Sequence, residues 1–430
     1  EVFATGYKKY FANVTVEPKS VRSKTVYLES DNGSSPAPTA IYFEDPNLER
    51  VIRNVIYKPH GEITKEDVQY IRDLYAYEEG IVSIKGIEHL VSLTSLNLSW
   101  NHLEDLSPLA ALTNLKELSL SSSLWHRVND LSPLTKLNNL ESLDLSINEA
   151  FNNGNGLNIA DLSGITSLKE LDLAVCGIAD VSPLAKLTNL EDLDLSQNNL
   201  ADLTPLSGLI NLNYLSLRGN KISNLSALSN LSNLRRLRFS SNEVANIAPL
   251  AGLTNLEILN ASYNQITDIG PLAGLTNLRN LELGNNQITN ILSLSRLTDI
   301  NTLRLDKNEI SDLSALSGLI RLSELTLEHN NVVDISPLSG LTTNFWRSLN
   351  LNSNRISDLG PLQNIRVPGI LSLDDNHISD ISALVEMVLN DGTGKPTQIA
   401  LRNNNLSLNP GSDNMRDIRT LMDHGAHVYY

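Results

Sequence analysis

The sequence predicts an α/β repeat solenoid: a curved stack of short coils with a parallel β-sheet on the concave face and a 3₁₀ or extended return on the convex face. Three observations predict it. The composition is lopsided, with 77 leucines and 50 asparagines among 430 residues but only 6 phenylalanines and 3 methionines. A core that fills irregular space draws on many apolar shapes, so one apolar type beside one amide indicates a small packing unit copied many times. The pattern L-x-L-x-x-N recurs from Leu96 to Ile399, mostly in steps of 22, as from Leu259 to Leu281. Within each copy the apolar spacing then changes from two to three.

The spacing of two is the strand. Around Leu281, residues Leu278, Leu281 and Leu283 point inward, while Asn280, Glu282 and Gly284 face outward. After Asn286, Ile288, Ile291, Leu294 and Leu297 recur every three residues, which suits a tight return and not a long helix. Asn101, Asn148, Asn198, Asn220, Asn242, Asn264, Asn286, Asn308, Asn330, Asn354, Asn376 and Asn404 share one slot, where the chain leaves the strand. A buried amide there satisfies backbone groups that lack ladder partners. Ser123 and Cys176 replace it in two turns, and Cys176 is expected as a small buried substitute, not a reactive thiol. Recurrent proline, as in Pro108, Pro205 and Pro271, opens the return where its fixed φ helps. The solenoid spans residues 74–408 in about fifteen turns, beginning with a degenerate one at Leu74. Longer steps from Leu118, Leu143, Leu325 and Leu371 mark insertions.

The tract L-T-N-L-x-x-L-x-L-x-x-N-x-I-x-D-I-x-P-L-x-G, matched at nearly every position by residues 253–274, resembles the signature of bacterial leucine-rich repeat proteins of the 22-residue, internalin-like type. The resemblance covers residues 43–430. It implies a helical amino-terminal cap at 43–73, with Asp45 capping a helix and Pro46 in its first turn, that covers the first coil's apolar edge. It also implies a carboxy-terminal cap at 409–430, a closing helix and strand with Ile418, Leu421 and Met422 on the buried side. The function it implies is recognition or adhesion, by an extracellular or surface-displayed module whose concave sheet holds a protein partner. Intracellular phosphatase regulators with 22-residue repeats are the rival of the same fold; the T-N-L and S-P-L tracts favour the bacterial group. No cell-wall anchoring motif of the internalins is matched.

Residues 1–42 have no counterpart in the repeat. Alternation at Val14 and Val16, and at Val26 and Leu28, predicts two short strands before a loop rich in Ser, Pro and Gly. This extension is either a linker or a segment that pairs with an exposed sheet edge, on its own solenoid or on a neighbouring copy. The second choice brings a different function class, a structural protein that assembles into a polymer or surface layer. The chain begins at Glu1 without methionine, in keeping with a mature secreted chain or a shortened one.

Outward strand positions supply the candidate binding surface. Glu170, Asp172, Asp192 and Asp194 form an acidic block on adjacent turns, with Asp144 one turn earlier, and Arg218, Arg236 and Arg238 follow. Tyr214 lies between the blocks and Tyr263 just beyond, so the concave face is expected to be bipolar. Either the charges neutralise one another as exposed cross-strand ion pairs, worth about 0–1 kcal/mol each, or they form a template for a protein partner with Tyr214, Arg236 and Tyr263 as anchors. Trp125 and Phe151, on the inserted loops, and Trp100, at the rim of the first turns, are either packed or available to a ligand.

Other functions are poorly served. The formal net charge of −16, from 33 Lys and Arg against 49 Asp and Glu, disfavours nucleic acid and anionic membranes. No apolar run reaches the roughly 18 residues of a membrane helix. One cysteine allows no intrachain disulfide. His60, His89, His102, His126, His329, His377, His424 and His427 fall in no metal-binding tract, and no glycine loop cradles phosphate. Asp172, Asp192 and Asp194 lack the wrapping loop of a calcium site. The sequence therefore predicts no enzyme, no metal and no cofactor.

Overall fold

The computed structural model describes residues 40–124, 128, 130–148, 156–341, 346–367, 369–389 and 396–430. Among the described residues sixteen three-residue strands, β1 (Asp73–Tyr75) to β16 (His427–Tyr429), make one parallel sheet in strict chain order. The register carries the repeat: Leu281 lies opposite Leu259 on one side and Leu303 on the other. Equivalent positions thus form straight rows across the sheet. The middle residue of each strand is a buried leucine except in the last two, where buried Ile399 and half-buried Val428 take its place, and the residues that flank it face outward.

Short 3₁₀ turns make the return path, as at Thr204–Gly208 and Gly270–Gly274, with proline at the first positions. An aspartate set before the turn helps to start it. Asp105, Asp202, Asp268 and Asp334 each accept the backbone N–H two residues on, at 2.8–2.9 Å. This capping aspartate went unread in the sequence, although it belongs to the repeat.

The slot asparagine ties each turn to the one before. Asn308 Oδ1 accepts from Ile288 N–H at 2.9 Å, and its Nδ2 donates to the carbonyls of Leu283, at 3.0 Å, and Leu305, at 3.1 Å. Asn198, Asn220 and Asn264 repeat the arrangement. In the two deviant turns the smaller side chain still reaches the turn before: Ser123 Oγ donates to Leu98 at 2.6 Å, and Cys176 Sγ to Leu145 at 3.1 Å. Cys176 is fully buried. A second asparagine, from the T-N-L tract, forms an exposed ladder on the other edge, as in Asn255 to Ser232 and Asn277 to Thr254, both at 2.9 Å. The two ladders together account for much of the asparagine excess.

Two of the longer steps change the coil where they occur. The long step from Leu371 replaces a 3₁₀ turn by helix α3 (Ser382–Leu389). The step from Leu325 brings Trp346 into the core, where its Nε1 donates to the Leu341 carbonyl at 3.1 Å. Trp125 and Phe151 lie outside the described residues, as do residues 1–39 with the two strands expected there. The chain that leads out of them is anchored on the cap: Ile41 N–H donates to Ile63 at 2.7 Å.

Helices lie at both ends of the described sheet. Before β1, helices α1 (Pro46–Ile56) and α2 (Lys65–Val68) pack on the first coil, α1 burying Leu48, Val51 and Ile52. Asp45 caps α1 through Asn47 N–H at 2.8 Å, and its other oxygen accepts from Val82 at 2.7 Å and Ser83 at 3.2 Å. Burial raises that carboxyl, but these donors outweigh it and hold the group below its ordinary range. At the far end, helix α4 (Asp413–Asp423) buries Asn414, Ile418 and Leu421. Met422 was expected on that face and is instead 50% exposed. One residue past Leu421 turns about 100° away along a helix, and Met415 packs against the core in its place.

Candidate functional site

Strands β4 (Ser142–Asp144), β5 (Glu170–Asp172) and β6 (Asp192–Asp194) set Asp144, Asp172 and Asp194 side by side in one row, and Glu170 opposite Asp192. Strands β7 (Tyr214–Ser216) and β8 (Arg236–Arg238) continue the rows. Asp192 lies opposite Tyr214, Tyr214 opposite Arg236, and Ser216 opposite Arg238. Arg218, two residues past Ser216 on the same face, is exposed. The acidic block, Tyr214 and the three arginines singled out in the sequence therefore lie on one surface.

The acidic row also holds backbone. Asp144, Asp172 and Asp194 accept the N–H two residues on, at 2.9, 2.9 and 2.8 Å. Asp144 and Asp194 gain a hydroxyl as well, from Ser146 and Ser196, and their second oxygens accept from Ser119 and Tyr214. Asp172 is followed by Ala174 and gains no such hydroxyl. Burial, joined by the charges of Asp194 and Asp144 and opposed only by the Ala174 N–H, pushes its carboxyl up to about 6.

Tyr214 is the junction. Its hydroxyl donates to Asp194 Oδ2 at 3.2 Å, and the guanidinium carbons of Arg236 and Arg238 stand 5.1 and 5.9 Å from its ring centroid. Burial and the Asp194 charge raise its phenol above the ordinary range. Among the described residues no ion pair joins the acidic block to Arg218, Arg236 or Arg238. Arg236 and Arg238 lean instead on the Tyr214 ring, a contact worth about 0.5–1 kcal/mol when exposed.

Two shallow depressions follow. One of about 350 Å³ is lined by the acidic block with Tyr214 and Arg236. The other, about 480 Å³, holds Arg218, Arg238, Ser240 and Tyr263. Past the uncharged β9 (Ile258–Asn260), the face turns acidic again. Glu282 ends β10 (Asn280–Glu282), Asp306 follows β11 (Thr302–Arg304), and Glu324 begins β12 (Glu324–Thr326). Arg304 is paired with Glu324 at 2.6 Å. The bipolar pattern expected from sequence is thus the first two-thirds of an acidic, basic, acidic series.

Tyr263 and Trp100 occupy the same repeat position, just before the slot asparagine, in the left-handed conformation at φ 57° and 59°. That places both at the rim, 58% and 46% exposed. Trp100 meets Tyr77 with ring centroids 6.5 Å apart. With Tyr75 also exposed, the first turns carry an aromatic patch that the sequence reading reached only through Trp100. Its signal was the alternation of Tyr75 and Tyr77 around a degenerate turn. Among the described residues, no three His, Cys, Asp or Glu are grouped to hold a metal, and no helix is long and apolar enough to cross a membrane.

The family described as leucine-rich repeats in two copies matches residues 166–208, 210–252 and 254–301, and that of the single leucine-rich repeat matches 89–106. An internalin (InlF) of Listeria monocytogenes is 29% identical, with a TM-score of 0.58 over 91% of this chain and 97% of that one. The functional domain of InlJ from the same species is 22% identical, with a TM-score of 0.61 over 84% of this chain and 80% of that one. A plant peptide hormone receptor, RGFR1 in complex with RGF2, is 21% identical, with a TM-score of 0.58 over 76% of this chain and 57% of that one. No curated protein matches the sequence.

Proposed function

The chain is a leucine-rich repeat protein of the bacterial, internalin-like type, and on that premise we propose that its concave sheet holds a protein partner, in recognition or adhesion outside the cell. The observation that carries this reading is the state of the three arginines. In a chain of net charge −16, Arg236 and Arg238 on β8 and Arg218 just past β7 cluster with no carboxylate paired to them among the described residues. Charges that served only stability would be expected to neutralise one another. Arginine beside tyrosine on an open, preformed surface is the composition of an interface hot spot. The receptor of the same fold that is solved in complex with RGF2 supports the use of such a scaffold for binding.

The contact residues we assign are Tyr214, Arg236, Arg238 and Tyr263, flanked by Arg218 and the acidic row Asp144, Glu170, Asp172, Asp192 and Asp194. Reversing Arg236 and Arg238 to Glu together is expected to abolish capture from a panel of extracellular domains while leaving the thermal midpoint unchanged. Unchanged capture would remove this patch from the account. Self-association through residues 1–42 is a separate proposal, tested by whether deletion of residues 1–39 changes the mass measured by light scattering.

A further inference from the structure

We propose that the depression between β7 and β9 is a subsite for one isolated oxoanion, a carboxylate, phosphate or sulfate group, seated between Arg218 and Arg238. As the group a partner would present there, it deepens the reading of the concave face; as a site for a free anion, it stands without it. Arg238 lies opposite Ser216, and Arg218 is two residues beyond Ser216 on the same face. The two side chains are therefore diagonal neighbours, whose Cα atoms stand about 7–8 Å apart, a gap that an oxoanion bridges with a hydrogen bond from each guanidinium.

Both cations lack a counterion. Among the described residues neither makes an ion pair, and Arg238 shares the Tyr214 ring with Arg236. Three guanidinium groups on two adjacent turns repel one another, and a bound anion relieves that repulsion. The hydroxyl-bearing residues Ser240 and Ser262 line the same depression and supply neutral donors.

The ends of the depression set its selectivity. Asp194 stands at one end, and Glu282 and Asp306 at the other. Each already accepts from a neutral donor: Asp194 from Tyr214, Glu282 from Asn260 at 2.9 Å and Asp306 from Asn285 at 3.2 Å. Among the described residues none of the three is ion-paired with Arg218 or Arg238, and they repel any ligand whose negative charge continues past the centre. The subsite thus takes a single anionic group with uncharged or basic flanks, and it rejects a polyanion.

The test is calorimetric titration of the full chain with inorganic phosphate, sulfate or acetate, and with heparin, at constant ionic strength held by chloride. We expect saturable one-to-one binding of the small oxoanions in the millimolar range. Arg218→Gln and Arg238→Gln should each weaken it at least tenfold, Arg355→Gln, at an exposed arginine outside the depression, should not, and heparin should bind no tighter than sulfate. The proposal is overturned if no saturable heat appears, if all three variants behave alike, or if heparin binds best. Circular dichroism confirms that each variant is folded. Loss of partner capture with anion binding intact would contradict the protein-binding reading alone; absent anion binding with capture intact would contradict only the subsite.

Discussion

The hydroxyl of Tyr214 donates to Asp194 Oδ2 at 3.2 Å across adjacent strands, while its ring lies under the guanidinium of Arg236 at 5.1 Å. One side chain therefore fixes the seam between the acidic and basic parts of the concave face. Tyr214→Phe removes the hydroxyl but keeps the platform, and partner affinity should stay within about threefold. Tyr214→Ala removes the platform that orders two arginines and should cost about tenfold or more, roughly 1.4 kcal/mol or more. Equilibrium binding checks both, and equal losses would place the effect in the hydroxyl.

Asp172 makes stability depend on pH with an unusual sign for a carboxylate. Its folded pKa of about 6 lies above the ordinary 3.8, so between these values the folded chain keeps a proton that the unfolded chain has released. This contribution is fully present below 3.8 and is lost as pH rises through about 6. Because the carboxyl retains some solvent, we expect about 1 kcal/mol, less than the full shift would imply. Asp172→Asn keeps an oxygen for the Ala174 N–H, as Asn260 does for Ser262 at 3.1 Å in the same row. That variant should be more stable at pH 7 and lose this step; denaturant melts between pH 4 and 8 measure it.

The asparagine slot should dominate single-site stability. Asn308→Ala strands the Ile288 N–H and leaves the Leu283 and Leu305 carbonyls with one donor each, from Asn286 and Asn330, and should cost about 2 kcal/mol. The exposed ladder residue Asn277, with one bond to Thr254, should cost under about 1 kcal/mol on the same change. Urea unfolding of the two variants separates the ladders, and similar losses would contradict the ranking.

The coil was legible in the sequence because stacking forces every turn into one geometry, so a leucine or asparagine seen in many copies reports one environment. Positions that depend on a neighbour were not. Asp172 is set apart by its burial, by lying between the charges of Asp194 and Asp144, and by an alanine at 174 where the other two have serine two residues on. The arginines could pair with the acids or with Tyr214, and spacing does not distinguish a ring 5.1 Å away from a carboxylate. Met422 was misplaced because a short terminal helix offers too few turns to phase its buried side. Tyr75 and Tyr77 escaped notice because the first turn departs from the repeat that organised the reading.

Cys176 is fully buried in the asparagine slot, its thiol donating to the Leu145 carbonyl. It should react with a disulfide reagent only as fast as the chain unfolds. Stoichiometric labelling within seconds in native buffer would contradict that placement; labelling that tracks denaturant unfolding would support it.

The concave face is the central claim, and site-directed photo-crosslinking tests it most directly. A photoactivatable side chain would replace Asn260 on the sheet in one full-length variant and Ser295 on the convex return in another, each then presented to intact cells. The account predicts a discrete adduct from position 260 and only background from 295. Adducts from 295 with none from 260 would contradict it.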